Sequence, residues 1–144
     1  MAAQRSASVT WQGSLMEGSG TITNVSSGAF SNLNVSWPSR TSESGSDTTS
    51  PEELLAAAHA ACFAMGLSHG LASAGNPPQS LEVSATCTFD MPPKISKMDI
   101  HVRGQVEGID QAAFEQAAKE AGEGCPVSGA LKGNVEINVT AELA

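Results

Sequence analysis

Three residues carry the reactive chemistry of this chain: Cys62, Cys87 and Cys125. Their wide, unequal spacing is not the pattern of a secreted disulfide framework, so a bond between any two of them reads as catalytic or sensing rather than structural. Each sits in a different context. Cys125 is followed by Pro126, a residue suited to the first turn of a helix, so Cys125 is placed at a helix N-terminus, where a thiolate is stabilised. Cys62 lies inside an alanine-rich apolar run, three residues after His59 and seven before His69. Cys87 falls on the apolar side of an alternating stretch, where a thiol behaves as a small inert hydrophobe.

Three chemistries are open to such a set. A metal could be held by His59, Cys62, Cys125 and His69, although neither a C-x-x-C pair nor H-E-x-x-H is present. A cysteine hydrolase could pair Cys62 with His59, but the two side chains would run nearly parallel on one helix face and no orienting acid is evident. A peroxidatic thiol needs a thiolate, a cation to stabilise it and polarise the O–O bond, a group to hold that cation, and a second thiol. Arg40, one of three arginines in the chain, supplies the best cation, and Glu52 or Glu53 could hold its planar fork.

The elements that would position these residues follow from the pattern. Residues 7–37 read as a meander of three short strands, the last over Phe30–Trp37. Pro38–Ser50, rich in Ser and Thr without periodicity, reads as a loop bearing Arg40. Ser50, Pro51 and Glu53 form a capping-box start for a helix over Pro51–Ala74, ended by Gly75 before Asn76-Pro77-Pro78. That helix would be about 36 Å long. It is apolar round most of its circumference, more than one domain of this size can cover, so a second copy from a partner subunit is expected. Leu81–Phe89 and Ile95–Glu107 alternate as hairpinned strands, Gln111–Ala121 is a helix broken by Gly122-Glu123-Gly124, Cys125–Leu131 is a short helix, and Val135–Leu143 is a closing strand. Helices and strands do not alternate regularly, which gives an α+β fold with antiparallel sheets around a central buried helix, in one domain spanning 1–144. Leu55, Phe63, Met65 and Val127 are the apolar residues available to line a pocket beside Cys62.

Composition narrows the partners. The 144 residues carry a net charge of −8 with only 7 Lys plus Arg, which disfavours nucleic acid or an anionic membrane surface. No apolar run reaches a membrane span without polar breaks, and the N-terminus lacks an apolar signal core, so a cytoplasmic, reducing setting is expected. Geometry adds a further constraint. Glu52 precedes Cys62 by ten residues, or about 15 Å along one helix axis. They can share a site only if two copies of the helix cross antiparallel about a two-fold axis.

The run P-E-E-L-L-A-A-A-H-A-A-C-F over residues 51–63 resembles the signature of the OsmC/Ohr family of thiol-dependent peroxidases, and G-C-P-V-S-G-A-L-K from Gly124 is similar to its second cysteine motif. The T-W-Q-G-S and G-S-G-T openings and the closing strand are similar too, and His59 with the Glu52-Glu53 pair resembles the OsmC branch. The resemblance implies an intertwined α+β homodimer with two interfacial sites. It implies Cys62 as the peroxidatic cysteine, Cys125 as the resolving one, Arg40 as the stabiliser of thiolate and peroxide, and Glu52 as the residue positioning Arg40. It further implies oxidation of Cys62 to a sulfenic acid by an organic hydroperoxide, a Cys62–Cys125 disulfide, and regeneration by a cellular dithiol, lipoyl in relatives, in stress defence. No metal, haem or flavin cofactor is implied. A non-enzymatic, stress-linked dimer holding a small apolar ligand at the helix crossing is the competing reading.

Overall fold

The structure, a computed structural model, describes residues 1–42 and 47–144 in two compact units, Met1–Pro51 and Glu52–Ala144.

In the first unit, β1 (Ala7–Gln12), β2 (Ser19–Val25) and β3 (Leu33–Val35) form an antiparallel meander in that order. The third strand is shorter than alternation alone gave. It stops because Ser36 and Ser39 close a reciprocal capping box over α1 (Trp37–Thr41), with Pro38 in its first turn. This short helix replaces the start of the expected loop, and residues 43–46 of that loop lie outside the described residues. The Ser39 hydroxyl also donates to the Thr49 carbonyl at 2.8 Å, tying α1 to the segment that leads into the long helix.

The second unit holds that helix, α2 (Pro51–Ser73), followed by β4 (Ser80–Asp90), β5 (Lys94–Gln105), α3 (Gln111–Gly124), α4 (Pro126–Leu131) and β6 (Glu136–Leu143). The sheet order is β4-β5-β6. β4 and β5 are antiparallel, but β6 runs parallel to β5, a departure from the antiparallel expectation. The α3–α4 crossover makes this possible, because only a long connection can return a strand in the same direction. Met98, Ile100 and Val102 of β5 are buried with Phe63, Leu67 and Leu71 of α2 and Phe114 and Ala118 of α3. The core is therefore a two-layer sandwich of helices on one sheet face.

α2 ends in a Schellman motif. Gly75 has φ +92°, its N–H donates to the Ala72 carbonyl at 3.0 Å, and the Asn76 N–H donates to the Leu71 carbonyl at 2.9 Å. By length and composition alone α2 could cross a membrane, contrary to the expectation drawn from its polar breaks. Here its buried residues, Glu52, His59, Phe63, Leu67 and Leu71, form one stripe of a core helix. Ala57, Ala58, Ala61 and Met65 on the other faces are exposed in the single chain.

Gly122 and Gly124 do not break α3, which continues to Gly124. Gly122 serves close packing instead: a Cβ there would stand 3.2 Å from Val139 Cγ2. Tertiary approach has overridden the local helix penalty of glycine, which is only about 1 kcal/mol.

Candidate active site

Two side-chain pairs join α2 to α4. The free thiols of Cys62, mid-way along α2, and Cys125, the residue before α4, face each other with 3.1 Å between sulfurs. Three residues from each, His59 Nε2 lies 2.7 Å from Ser128 Oγ. The spacing i, i+3 places both members of a pair on one helix face, so His59 with Cys62 on one element matches Ser128 with Cys125 on the other. Pro126 opens α4 and fixes the chain direction there, and the Gly129 N–H closes the first turn on the Cys125 carbonyl at 2.9 Å.

The electrostatics of the two thiols differ. Burial pushes the Cys62 thiol up; the Val127 N–H offsets part of that rise, and Cys125 adds to it. Burial acts upward on Cys125 as well and is its largest single influence. The Ser128 N–H, the Cys62 thiol, the Ser128 hydroxyl and the Val127 N–H together outweigh it, and Cys125 is held below the ordinary thiol range. These N–H groups approach the sulfur without completing a full capping bond. Within one chain, then, the surroundings favour the thiolate at Cys125 over that at Cys62.

His59 is fully buried, and burial holds it below the usual imidazole range. Its ring is aimed at Ser128 rather than Cys62, so the geometry offers no Cys–His nucleophile–base pair. Among the described residues no three His, Cys, Asp or Glu side chains converge as metal ligands.

Glu52 lies in the first turn of α2, buried to 7% exposure. Its charge, together with the larger effect of burial, raises the thiol of Cys87 on β4. Cys87 is thereby disfavoured as a nucleophile. Arg40 belongs to the first unit, in the last turn of α1, with its guanidinium carbon 5.4 Å from the centre of the Trp37 ring.

The structure brings together Cys62 and Cys125, as their motifs suggested, and adds His59 and Ser128. Sequence reasoning did not single out Ser128; the available signal was the matching three-residue offset in H-A-A-C and C-P-V-S. Phe63 leaves the expected pocket lining, because it turns into the core with no exposed surface. Leu55 and Val127 stay half-buried and Met65 is 73% exposed. A cavity of about 580 Å³ between α2 and α3, lined by Gly66, Gly70, Ala117 and Ala121 among others, includes neither Cys62 nor Cys125.

Residues 44–140 match the family described as OsmC-like protein. The chain is 35% identical over 131 residues to a protein of Escherichia coli named peroxiredoxin OsmC, covering 89% of this chain and 90% of that one. It is 29% identical over 118 residues to an organic hydroperoxide resistance protein of Xanthomonas axonopodis, covering 81% and 82%. The crystal structure of the organic hydroperoxide resistance protein OhrB of Bacillus subtilis superposes with a TM-score of 0.66 at 27% identity, covering 96% of this chain and 98% of that one.

Proposed function

Because the chain belongs to the OsmC-like protein family, we propose that it is a thiol-dependent peroxidase that reduces organic hydroperoxides at Cys62, forms a Cys62–Cys125 disulfide, and works as a homodimer in the reducing cytoplasm. The observation that carries this reading is the 3.1 Å approach of two free thiols from two separate motifs.

In the oxidative step the Cys62 thiolate attacks the distal peroxide oxygen. An S–O bond forms, the O–O bond breaks, and the departing alkoxide takes a proton to leave as the alcohol. The sulfur order within one chain is unfavourable for this, since Cys125 holds the lower thiol. A cation beside Cys62 narrows that gap at the attacking sulfur, and Arg40 is assigned that role, with Glu52 positioning it. Glu52 and Cys62 of one chain are ten residues apart on α2, about 15 Å. The Glu52 serving a given Cys62 is therefore assigned to the partner subunit across a two-fold axis. The exposed alanine face of α2 supports such pairing, since an apolar helix face of this extent favours a covering element.

In the resolving step Cys125 displaces hydroxide from the Cys62 sulfenic acid, and a dithiol of the lipoyl class returns both sulfurs to thiols. An organic substrate is favoured because an alkyl tail laid against Leu55, Val127 and Met65 gains about 0.8 kcal/mol per buried CH₂.

One equivalent of cumene hydroperoxide added to the reduced protein tests this. The expected products are the alcohol and a Cys62–Cys125 disulfide on peptide mapping, with Cys87 still alkylatable; Cys62→Ser abolishes turnover and Cys125→Ser leaves a sulfenic acid trapped by dimedone. A disulfide through Cys87, or tight binding of an apolar ligand that persists in Cys62→Ser without any turnover, sinks the proposal in favour of a binding role.

A further inference from the structure

We propose that the hydrogen bond between His59 and Ser128 is a tether that seats α4 on α2 and keeps Cys125 opposite Cys62 while Cys62 is oxidised. His59 and Ser128 are then positioning residues for the resolving step, a role that rests on the peroxidase reading above and adds two residues that the oxidation of Cys62 does not itself require.

α4 has little else to fix its place. Its six residues are too few for a helix to hold itself together. Val127 and Leu131 are only half-buried, Pro126, Gly129 and Ala130 are exposed, and Ser128 is the one residue of α4 that is buried. The partner of Ser128 Oγ is His59 Nε2 at 2.7 Å, on a side chain with no exposed surface. Nδ1 of that ring is buried without a hydrogen-bond partner. A proton there would be an orphaned donor, costlier than an orphaned lone pair, so the proton resides on Nε2 and is donated to Ser128 Oγ. Parting the two leaves a buried N–H with no acceptor, so α4 does not lift from α2 at this point without cost.

The pairing also sets direction and rotation. His59 meets Ser128 and Cys62 meets Cys125, so α4 runs against the direction of α2. The two contacts stand three residues apart on α2, or about 4.5 Å. One contact is a pivot, whereas two fix the rotation of α4. The sulfur contact is interrupted in turnover, because Cys62 Sγ gains an oxygen. The His59–Ser128 bond contains no sulfur and persists through that stage. The Cys125 thiolate then attacks Cys62 Sγ of the sulfenic acid; an S–S bond forms, the S–O bond breaks, and the leaving hydroxide takes one proton to depart as water.

Rapid quench of the reduced protein after cumene hydroperoxide, with dimedone trapping and disulfide mapping by mass, measures sulfenic acid and disulfide formation separately. Ser128→Ala is expected to lower the rate of disulfide formation relative to that of sulfenic acid formation about tenfold, the equivalent of one hydrogen bond. Ser128→Thr, which keeps the hydroxyl, restores most of that ratio, and His59→Gln, which keeps a donor, retains more of it than His59→Phe. The double variant His59→Phe/Ser128→Ala is expected to be no worse than the poorer single variant, because the two side chains act as one contact. A second arm forms the Cys62–Cys125 disulfide with diamide instead of peroxide and equilibrates it with glutathione. The equilibrium constant for disulfide formation is expected to fall about tenfold in Ser128→Ala and to return in Ser128→Thr. An unmoved ratio, additive losses in the double variant, or a glutathione equilibrium indifferent to Ser128→Ala overturns the tether while leaving the peroxidase reading intact. Should Ser128→Ala fail to fold, His59→Gln against His59→Phe decides the same point. Wild-type protein that yields neither sulfenic acid nor disulfide with peroxide overturns the peroxidase reading, and the diamide arm still decides the tether.

Discussion

Cys62 and Cys125 lie on different elements, sixty-three residues apart in sequence, yet their sulfurs stand 3.1 Å from each other as free thiols. A disulfide bond is about 2.05 Å, so oxidation needs the sulfurs to close by about 1 Å. A rotamer adjustment at the α4 start can supply that without moving α2, whose buried stripe is fixed in the core. A Cys62–Cys125 disulfide would therefore need little rearrangement of the two elements.

The unequal thiols give a pH signature. Cys125 is held below the ordinary thiol range, whereas burial raises Cys62 and Cys87, the latter with help from Glu52. Ultraviolet thiolate absorbance of the reduced protein is expected to rise first by one thiolate equivalent, below the pH of a free cysteine. Cys125→Ser removes that early rise and Cys87→Ser leaves it in place. Glu52→Gln, lacking the charge, brings the Cys87 step to lower pH. A first rise that survives Cys125→Ser, at the wild-type pH, contradicts the assignment.

His59 couples the site to stability. Its folded pKa is lowered by burial, so below the unfolded imidazole value, about 6.5, the unfolded chain binds a proton that the folded chain refuses. The sign is therefore destabilising in acid. Stability is full above about pH 6.5 and falls as pH drops toward the folded pKa, at no more than about 1.4 kcal/mol per pH unit for one proton. Urea unfolding at several pH values between about 7 and 5 is expected to show this slope in the wild type. His59→Gln, which does not titrate, flattens it by up to one proton's worth. Parallel slopes for the two proteins rule out a His59 origin.

What the sequence made legible were features carried by neighbouring residues. The start of α2 at Pro51 and its stop at Gly75, the alternation of β4 and β5, and the two cysteine contexts all have local causes. The differences arose wherever a distant partner decided the outcome. Phe63 adjoins Cys62 but points to the core, because the buried stripe of α2 is set by the β5 residues that it meets. Gly122 and Gly124 stayed helical because β6 presses on Gly122, and β6 took the parallel direction through a crossover that periodicity cannot reveal. The influence of Glu52 on Cys87 and the His59–Ser128 bond each join residues far apart in the chain. They could be seen only once α2 was laid against β4 and α4.

The same reasoning makes Gly104 a packing determinant rather than a flexible joint. It lies on β5 opposite Leu81, and a Cβ there would stand 2.5 Å from Phe114 Cζ and 3.1 Å from Leu81 Cδ2. Phe114 has no exposed surface and cannot swing into solvent, so α3 must shift or a side chain must leave its rotamer. Gly104→Ala is expected to cost about 1–3 kcal/mol in urea unfolding, the usual range for overpacking. The double variant Gly104→Ala/Phe114→Leu removes the obstructing ring edge. It is expected to be more stable than the sum of the two single changes by at least about 0.5 kcal/mol, the scale of coupling between residues in contact. Strict additivity would mean that the β-strand itself, not Phe114, requires glycine at this position.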